Sequence, residues 1–174
     1  MSNWNKIFKP IVVLCAICVV ITGALAATNG VTAPIIEAAT AAAQEAARKE
    51  LVPEATSFTP VEGISVENVS AVYLADNGEA VITCHGKGYG GNITVMVAFT
   101  TEGTIKQIKI TEQAETAGLG SKIQSEASFA DSFAGLPAED FTVSDIAAIS
   151  GATISSKAVT AAVNAAIDAY ALIP

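Results

Sequence analysis

The β structure of this chain is centred on residues 69–85, which read VSAVYLADNGEAVITCH. Two runs rich in valine, isoleucine, threonine and tyrosine, residues 69–75 and 79–85, flank the tripeptide Asp76-Asn77-Gly78. Asn-Gly accepts the positive φ angles of a tight turn between antiparallel strands. The pattern therefore predicts a β-hairpin.

A second pair of strands is predicted immediately downstream, over residues 93–100 and 104–111, with Glu102-Gly103 in the turn. In the latter strand Ile108 and Ile110 alternate with polar residues, as in a strand with one exposed face, whereas Ile105 is out of phase. Two successive hairpins predict a mainly antiparallel sheet.

Helices are predicted on the C-terminal side of this sheet. Residues 155–171 place an apolar set at helical spacing on one face, namely Val159, Ala162, Val163, Ala166, Ile167 and Tyr170. A shorter helix is predicted over 121–129, and Phe133, Leu136 and Phe141 are predicted to be core residues in irregular chain. The fold class is therefore α+β, with a mainly antiparallel sheet and flanking helices.

The N-terminal part has a different character, because no side chain between Lys9 and Glu37 is charged. Residues 10–28 form an apolar run long enough to cross a bilayer as one helix. Lys6 and Lys9 precede it, and positive flanking charge stays on the cytoplasmic side. We therefore expect a single-pass protein of the cytoplasmic membrane, with its N-terminus inside and its C-terminal domain outside.

Trp4 and Phe8 are placed to anchor this helix at the membrane interface. A cleaved signal peptide is the alternative, since Ala24-Leu25-Ala26 offers small residues of the kind found at cleavage sites. The apolar run is longer than the usual signal-peptide core. Both interpretations send the remaining domain out of the cytoplasm.

Four segments follow from these patterns. Residues 1–9 are the cytoplasmic N-terminus and 10–28 the transmembrane helix. Residues 29–63 are a stalk and loop, in which Asn29-Gly30 breaks the apolar run, Pro34 starts a new helix that extends to Leu51, and 53–63 form a loop. Residues 64–174 are the extracytoplasmic domain.

The composition of the chain excludes several classes of function. Only 15% of the 174 residues are charged, and the net charge is −8. Beyond Asn29 there are 7 basic and 17 acidic side chains, a net of −10, which argues against nucleic acid as a partner. One histidine and three cysteines are too few for an ordinary protein-only zinc, haem or iron–sulfur site, so we expect no metal.

The stretch whose residues suit a chemical role is 150–156, Ser-Gly-Ala-Thr-Ile-Ser-Ser, which leads into the last helix. The unpaired backbone N–H groups and the dipole of a helix N-terminus favour an anion. Thr153 is therefore placed to bind a phosphate or to be esterified to one. The alternative is that these hydroxyl side chains only cap the helix.

The segment S-G-A-T-I-S-S-x-A-V resembles the flavinylation motif of the FMN-binding domain family. That family includes the G subunit of the Rnf ion-translocating electron-transfer complex and the C subunit of the sodium-pumping NADH:quinone reductase. The resemblance implies that Thr153 carries covalent FMN through a phosphodiester bond made by a dedicated flavin transferase. The family often has an aspartate three residues before the S-G-A-T serine, where this chain has Ala147, and Asp145 lies two residues earlier.

Two further motifs support the resemblance. Gly88-Tyr89-Gly90-Gly91 and the strand after it are similar to the family's glycine-rich loop and central strand. Residues 115–120, E-T-A-G-L-G, are similar to its E-T-P-G-L-G loop, with Ala117 in place of proline. With the N-terminal anchor, the stalk and the last helix, the match covers nearly the whole chain.

The resemblance implies a flavin site and no catalytic acid–base residues. Glu115 and Thr116 are expected to hydrogen-bond the flavin, and Leu119 to pack against its ring. Tyr89 either stacks on a ring or fills a gap in the protein. The remaining expected site residues surround the phosphate and are Ser150, Gly151, Ala152, Ser155 and Ser156.

The function implied is that of a membrane-anchored subunit of an Rnf-type complex, relaying electrons through FMN. Such complexes couple electron flow between ferredoxin and NAD to Na⁺ or H⁺ transport. The other membrane subunits and the flavin transferase are the implied partners. Three alternatives remain: the corresponding C subunit of the quinone reductase, a stand-alone extracytoplasmic flavoprotein, and a non-redox membrane-anchored binding module.

Overall fold

The computed structural model describes residues 8–173. The chain divides into two compact units between Ala43 and Gln44. In chain order the elements are α1 (Lys9–Leu51), β1 (Phe58–Pro60), β2 (Val69–Ala75), β3 (Ala80–Lys87), β4 (Asn92–Phe99), β5 (Ile105–Glu112), α2 (Lys122–Ser125), α3 (Ala127–Asp131) and α4 (Thr153–Tyr170).

The first unit is helical. Its apolar side chains are exposed, and within residues 8–173 α1 is the one helix long and apolar enough to cross a membrane. Trp4, predicted to anchor at the membrane interface, and Lys6, predicted to flank the helix on the cytoplasmic side, fall outside the described residues.

The predicted break in α1 is wrong, because the helix runs without interruption through Asn29-Gly30 and past Pro34. A proline inside a helix removes one backbone hydrogen bond. The alanine-rich turns that follow have high helix propensity and outweigh that loss. Upstream, the hydroxyls of Thr28 and Thr32 donate to carbonyl oxygens one turn back, at 2.9 and 3.1 Å.

The second unit contains a five-stranded sheet in the order β1-β2-β3-β4-β5, with every neighbouring pair antiparallel. The mainly antiparallel sheet and both hairpins are therefore confirmed. Gly78 and Gly103 occupy the two turns with φ of +86° and +79°, the left-handed region that glycine accepts.

The edge strand β1 lies within residues 53–63, which were predicted to be a loop. It has three residues that pair with β2 and is too short to show an alternating pattern.

The pairing of β4 with β5 explains why Ile105 is out of phase with Ile108 and Ile110. The register between β4 and β5 shifts after Ala98, so that Ile105 pairs with Phe99 and Lys106 is the extra residue of a β-bulge.

Both faces of the sheet are covered. On one face α4 packs on β3 and β4 through the predicted apolar face, in which Val159, Ala162 and Val163 are fully buried. On the other face the last turn of α1 and the chain after it pack on the sheet through Ala47, Leu51 and Val52. This burial on both sides explains why β3 and β4 are almost continuously buried.

The helix predicted over 121–129 is two short helices, α2 and α3. Glu126 separates them with an extended backbone, φ −92° and ψ 104°. In one continuous helix Ile123 and Phe129 are about 120° apart around the axis. The break lets both side chains be buried. Phe133 is also buried, with Leu136 and Phe141 packed partly against the same core, as predicted.

Candidate cofactor-binding site

Three segments meet at a cavity of about 470 Å³ at one end of the sheet. They are the glycine-rich loop 88–91 after β3, the loop 115–120 after β5 and the first turn of α4. The cavity is lined by Tyr89, Glu115, Thr116, Leu119, Gly120, Gly151, Ala152, Thr153, Ile154 and Ser155. The fold thus brings together the three motifs that were singled out in the sequence.

Helix α4 begins at Thr153, two residues before the predicted start. Its N-cap residue is Ala152, and no side chain caps the helix. Thr153 is exposed, and its hydroxyl makes no hydrogen bond within residues 8–173. The helix-capping interpretation of these hydroxyl side chains is therefore wrong. Thr153 presents a free hydroxyl beside the backbone N–H groups of a helix N-terminus.

Glu115 connects the three segments. Its Oε2 accepts a hydrogen bond from the Ser155 hydroxyl at 2.5 Å, and its Oε1 accepts one from the backbone N–H of Gly90 at 2.9 Å. The backbone N–H of Glu115 donates to the side-chain oxygen of Gln113 at 2.7 Å. Since hydrogen bonds to a carboxylate are among the stronger ones in proteins, Glu115 holds the walls of the cavity together.

Glycines make room for this carboxylate. A Cβ on Gly88 would lie 2.3 Å from Glu115 Oε1, and one on Gly120 would lie 2.7 Å from Glu115 Cβ and 2.9 Å from Ser155 Oγ. A Cβ on Gly90 would lie 2.0 Å from the carbonyl oxygen of Ala114. Gly88, Gly90 and Gly120 therefore allow these segments to approach the chain around Glu115 closely.

Seven of the nine predicted site residues line the cavity, and two do not. Ser156 is buried, and its Oγ accepts a hydrogen bond from the backbone N–H of Ile149 at 3.2 Å. It therefore fixes the turn before α4. Ser150 is exposed but lies outside the cavity lining.

The contacts in the structure do not establish the flavin-binding roles that were predicted for Glu115 and Thr116. Glu115 was expected to hydrogen-bond a flavin, yet both of its carboxylate oxygens already accept bonds from the protein. Thr116 is exposed, and its carbonyl oxygen accepts from the backbone N–H groups of Leu119 and Ser121 in a tight turn. Direct flavin contacts by Glu115 and Thr116 stay predictions.

Of the exposed apolar side chains on the cavity, Ile154 is the one that sequence reasoning missed. Tyr89 is 76% exposed, so the interpretation that it fills a core gap is wrong. Ile154 is 55% exposed and Leu119 50%. Ile154 falls outside the periodic apolar set of α4, and that irregularity was the available signal. Three exposed apolar side chains on one cavity form a rim suited to a flat aromatic ligand.

The adjacent residues Cys84 and His85 both contact the neighbouring strand β4. Cys84 is fully buried, its thiol donates to the carbonyl oxygen of Val95, and burial raises the pKa of the thiol. His85 Nδ1 lies 3.2 Å from the Thr94 hydroxyl. Residues 8–173 contain no group of three or more His, Cys, Asp or Glu side chains placed to hold a metal ion.

Family models of known proteins match two parts of the chain, the N-terminal helical region and most of the domain that contains the sheet. Residues 88–168 match the family model of the FMN-binding domain, and residues 1–51 match that of the RnfG N-terminal region. The first match spans all three segments of the cavity. The second covers α1.

Three relatives align over nearly the whole length. The G subunit of the Na⁺-translocating ferredoxin:NAD⁺ oxidoreductase complex of Acetobacterium woodii is 34% identical, over 97% of this chain and 93% of the relative. The G subunit of an ion-translocating oxidoreductase complex of Methanosarcina acetivorans is 32% identical, over 97% and 96%. The G subunit of the proton-translocating ferredoxin:NAD⁺ oxidoreductase complex of Clostridium ljungdahlii is 33% identical, over 96% and 93%.

The apolar helix and these relatives fit a single-pass membrane protein. The FMN-binding domain, the N-terminal region and the full-length similarity lead to the same conclusion. This chain belongs to the family formed by the G subunits of ion-translocating oxidoreductase complexes.

Proposed function

We propose that this chain is the membrane-anchored flavoprotein subunit of an Rnf-type complex and carries covalent FMN on Thr153. It relays electrons as part of ferredoxin/NAD electron transfer coupled to Na⁺ or H⁺ translocation. The observation that carries the proposal is the exposed hydroxyl of Thr153, which makes no hydrogen bond within residues 8–173 and lies on the wall of the cavity.

The surroundings of Thr153 suit a phosphate. The residue is the first of an 18-residue helix, where backbone N–H groups lack helical partners and the helix dipole favours negative charge. Gly151, two residues earlier, has φ +81° and carries no side chain that would obstruct a phosphate at the start of the helix. The backbone N–H groups at the start of α4 therefore stabilise a phosphodiester at this oxygen.

Attachment through the phosphate is a simple exchange. With a flavin dinucleotide as the donor, a P–O bond forms between the FMN phosphorus and Thr153 Oγ1, and the P–O bond to the second nucleotide breaks. The nucleoside monophosphate leaves, and the hydroxyl proton passes to solvent. Relative to free FMN and threonine, the product lacks one water. The proposed partner for this step is a dedicated flavin transferase, as the resemblance of residues 150–156 to the flavinylation motif implies.

The rest of the cavity suits a flavin ring. Tyr89, Leu119 and Ile154 supply exposed apolar surface, and a volume of about 470 Å³ falls in the range of small-molecule sites. FMN supplies the electron exchange when bound. This chain's residues orient the ring and fix its distance from the backbone, and no general acid or base is needed.

Covalent attachment also suits the predicted location. With the N-terminus inside and the C-terminal domain outside the cytoplasmic membrane, a cofactor that dissociates is lost from the cell's supply. A bond to Thr153 removes that loss. The other membrane subunits of the complex are the partners between which this subunit passes electrons.

The test uses the full chain, co-expressed with a flavin transferase and denatured before analysis. We expect flavin fluorescence on the denatured band and an intact mass increased by FMN less water. Thr153→Ala abolishes both signals, whereas Thr153→Ser, which keeps a hydroxyl, retains part of them. A native chain without bound flavin contradicts the proposal and leaves a non-redox binding module. A Thr153→Ala chain that keeps covalent flavin contradicts attachment at Thr153.

A further inference from the structure

The basic side chains of the second unit are unevenly partnered. Seven lie between residues 44 and 173, and five of them interact with an acidic or aromatic partner. Those five are Arg48 over the Tyr73 ring, Lys49 with Glu45, Lys106 with Glu54 and Glu79, Lys109 with Glu50, and Lys122 with Glu126. Within that stretch only Lys87 and Lys157 lack such a partner.

These two lysines line the same groove. It is a cavity of about 360 Å³ that also includes His85, the single histidine of the chain, and it contains no acidic side chain. Ile154 contributes to the lining of both this groove and the cavity that contains Thr153. The groove therefore borders the proposed attachment site.

The fold holds the two lysines together. Lys87 ends β3 and Lys157 lies in α4. The neighbouring Gly86 lies so close to α4 that a Cβ on it would be 1.9 Å from the carbonyl oxygen of Ala158. Because only glycine permits this approach, the placement of Lys87 beside α4 is a fixed feature of the packing.

Lys157 also lies one helical turn after Thr153, since residues four apart share a helix face. Thr153 and Lys157 therefore lie on the same face of α4.

The charges on the lining of the groove favour an anion. Two ammonium groups in one groove repel each other, and no carboxylate on the lining offsets them. The chain beyond Asn29 has a net charge of −10, which repels a negatively charged nucleotide. A local pair of unpartnered cations offsets that repulsion beside the attachment site.

We propose that the groove of Lys87, Lys157 and His85 binds the phosphate of the flavin nucleotide, before and after its attachment to Thr153. This rests on the proposed function, and it assigns to the groove a ligand that the backbone at the start of α4 does not hold alone. Lys87 and Lys157 are positioning residues: they hold the phosphate and leave the flavin ring to the neighbouring cavity.

The experiment compares two ligands that differ only in the phosphate. The full chain with Thr153→Ala, purified in a non-ionic detergent, is titrated with FMN and with riboflavin, and binding is followed by flavin fluorescence anisotropy. We expect this parent chain to bind FMN about tenfold tighter than riboflavin. Adding Lys87→Gln and Lys157→Gln reduces that preference to about twofold or less while riboflavin affinity stays the same.

The matched control adds Lys49→Gln and Lys109→Gln, which remove the same formal charge at partnered lysines outside the groove. It retains the preference for FMN. The proposal is overturned by a parent chain that does not prefer FMN or does not bind it at all. The proposal is equally overturned if the variant with Lys87→Gln and Lys157→Gln still prefers FMN to riboflavin. That result is expected if the groove binds an acidic partner protein instead of the phosphate.

Failure of this inference and failure of the proposed function are separable. Covalent flavin on the chain with Thr153 intact reports the proposed function by itself. A chain that takes up flavin, but whose Thr153→Ala form shows no lysine-dependent preference for the phosphate, loses only the groove assignment.

Discussion

The carboxylate of Glu115 accepts a hydrogen bond from the hydroxyl of Ser155 at 2.5 Å and so joins the loop after β5 to the first turn of α4. The same carboxylate accepts from the backbone N–H of Gly90. Three segments that are separated along the chain therefore share one side chain. This makes Glu115 the residue on which the shape of the cavity depends.

Replacement of Glu115 tests that role. Hydrogen bonds to a charged group contribute about 1.5–3 kcal/mol, and partial exposure reduces this, so we expect Glu115→Ala to lower the free energy of unfolding by about 1–2 kcal/mol. Glu115→Gln keeps one acceptor oxygen and loses less. Urea unfolding of the full chain in detergent, followed by circular dichroism, measures both.

Glu112→Ala is the control, since Glu112 is exposed and accepts only a 3.5 Å contact from Thr94. A free energy of unfolding that falls equally in the Glu112 and Glu115 variants argues against a special role for Glu115.

Adjacent glycines give a sharp steric test. A Cβ on Gly90 would lie 2.0 Å from the carbonyl oxygen of Ala114, whereas one on Gly91 would lie 3.4 Å from the Cβ of Ala114, an ordinary contact. Gly90→Ala is therefore expected to cost about 1–3 kcal/mol of unfolding free energy, and Gly91→Ala much less. The same urea titration compares them, and equal losses exclude the close approach as the reason for Gly90.

The strands and α4 were predictable because their signals are local. Asn77-Gly78 and Glu102-Gly103 mark two turns, and the apolar spacing from Val159 onward marks a helix face. The edge strand β1 was missed because three residues carry no alternation. The separation of α2 from α3 at Glu126 was missed because it depends on packing both Ile123 and Phe129 into one core.

The candidate site was likewise predictable only in part from the sequence. The motifs located the segments that form the cavity, but not what joins them. Glu115 and Ser155 are 40 positions apart, and no spacing rule predicts their hydrogen bond. Nor does a pattern reveal that Ser156 is turned inward to the backbone of Ile149 while Tyr89 is exposed.

The position three residues before Ser150 offers a gain-of-function test. Ala147 is exposed and stands where the family often has aspartate, and the Asp145 carboxylate accepts bonds from the backbone and hydroxyl of Thr142. Recognition of the local sequence by the proposed transferase leads us to expect that Ala147→Asp raises the initial rate of flavin attachment. Asp145→Ala should leave that rate unchanged.

In-gel flavin fluorescence over a time course of co-incubation with the transferase measures both rates. A rate lowered by Ala147→Asp, or one that depends on Asp145 alone, contradicts this expectation.

Cys84 is predicted to be chemically silent in the folded domain. Burial raises the pKa of its thiol, so the reactive thiolate is scarcer than for a free cysteine throughout the neutral range. In a chain with Cys15→Ser and Cys18→Ser, we expect maleimide to label Cys84 at least about a hundredfold more slowly in buffer than in urea. Rapid labelling without denaturant contradicts the packing of β3 against α4.

The central claim concerns one oxygen atom, and peptide mapping of the flavinylated chain tests it directly. The full chain is labelled by the transferase, digested, and the flavin-bearing peptide is fragmented to locate the added mass among the neighbouring hydroxyl residues Ser150, Thr153, Ser155 and Ser156. We predict FMN less water on Thr153 alone, because Ser155 donates to Glu115 and Ser156 is buried. A flavin mass on any of the three serines, or none in the peptide, contradicts the account.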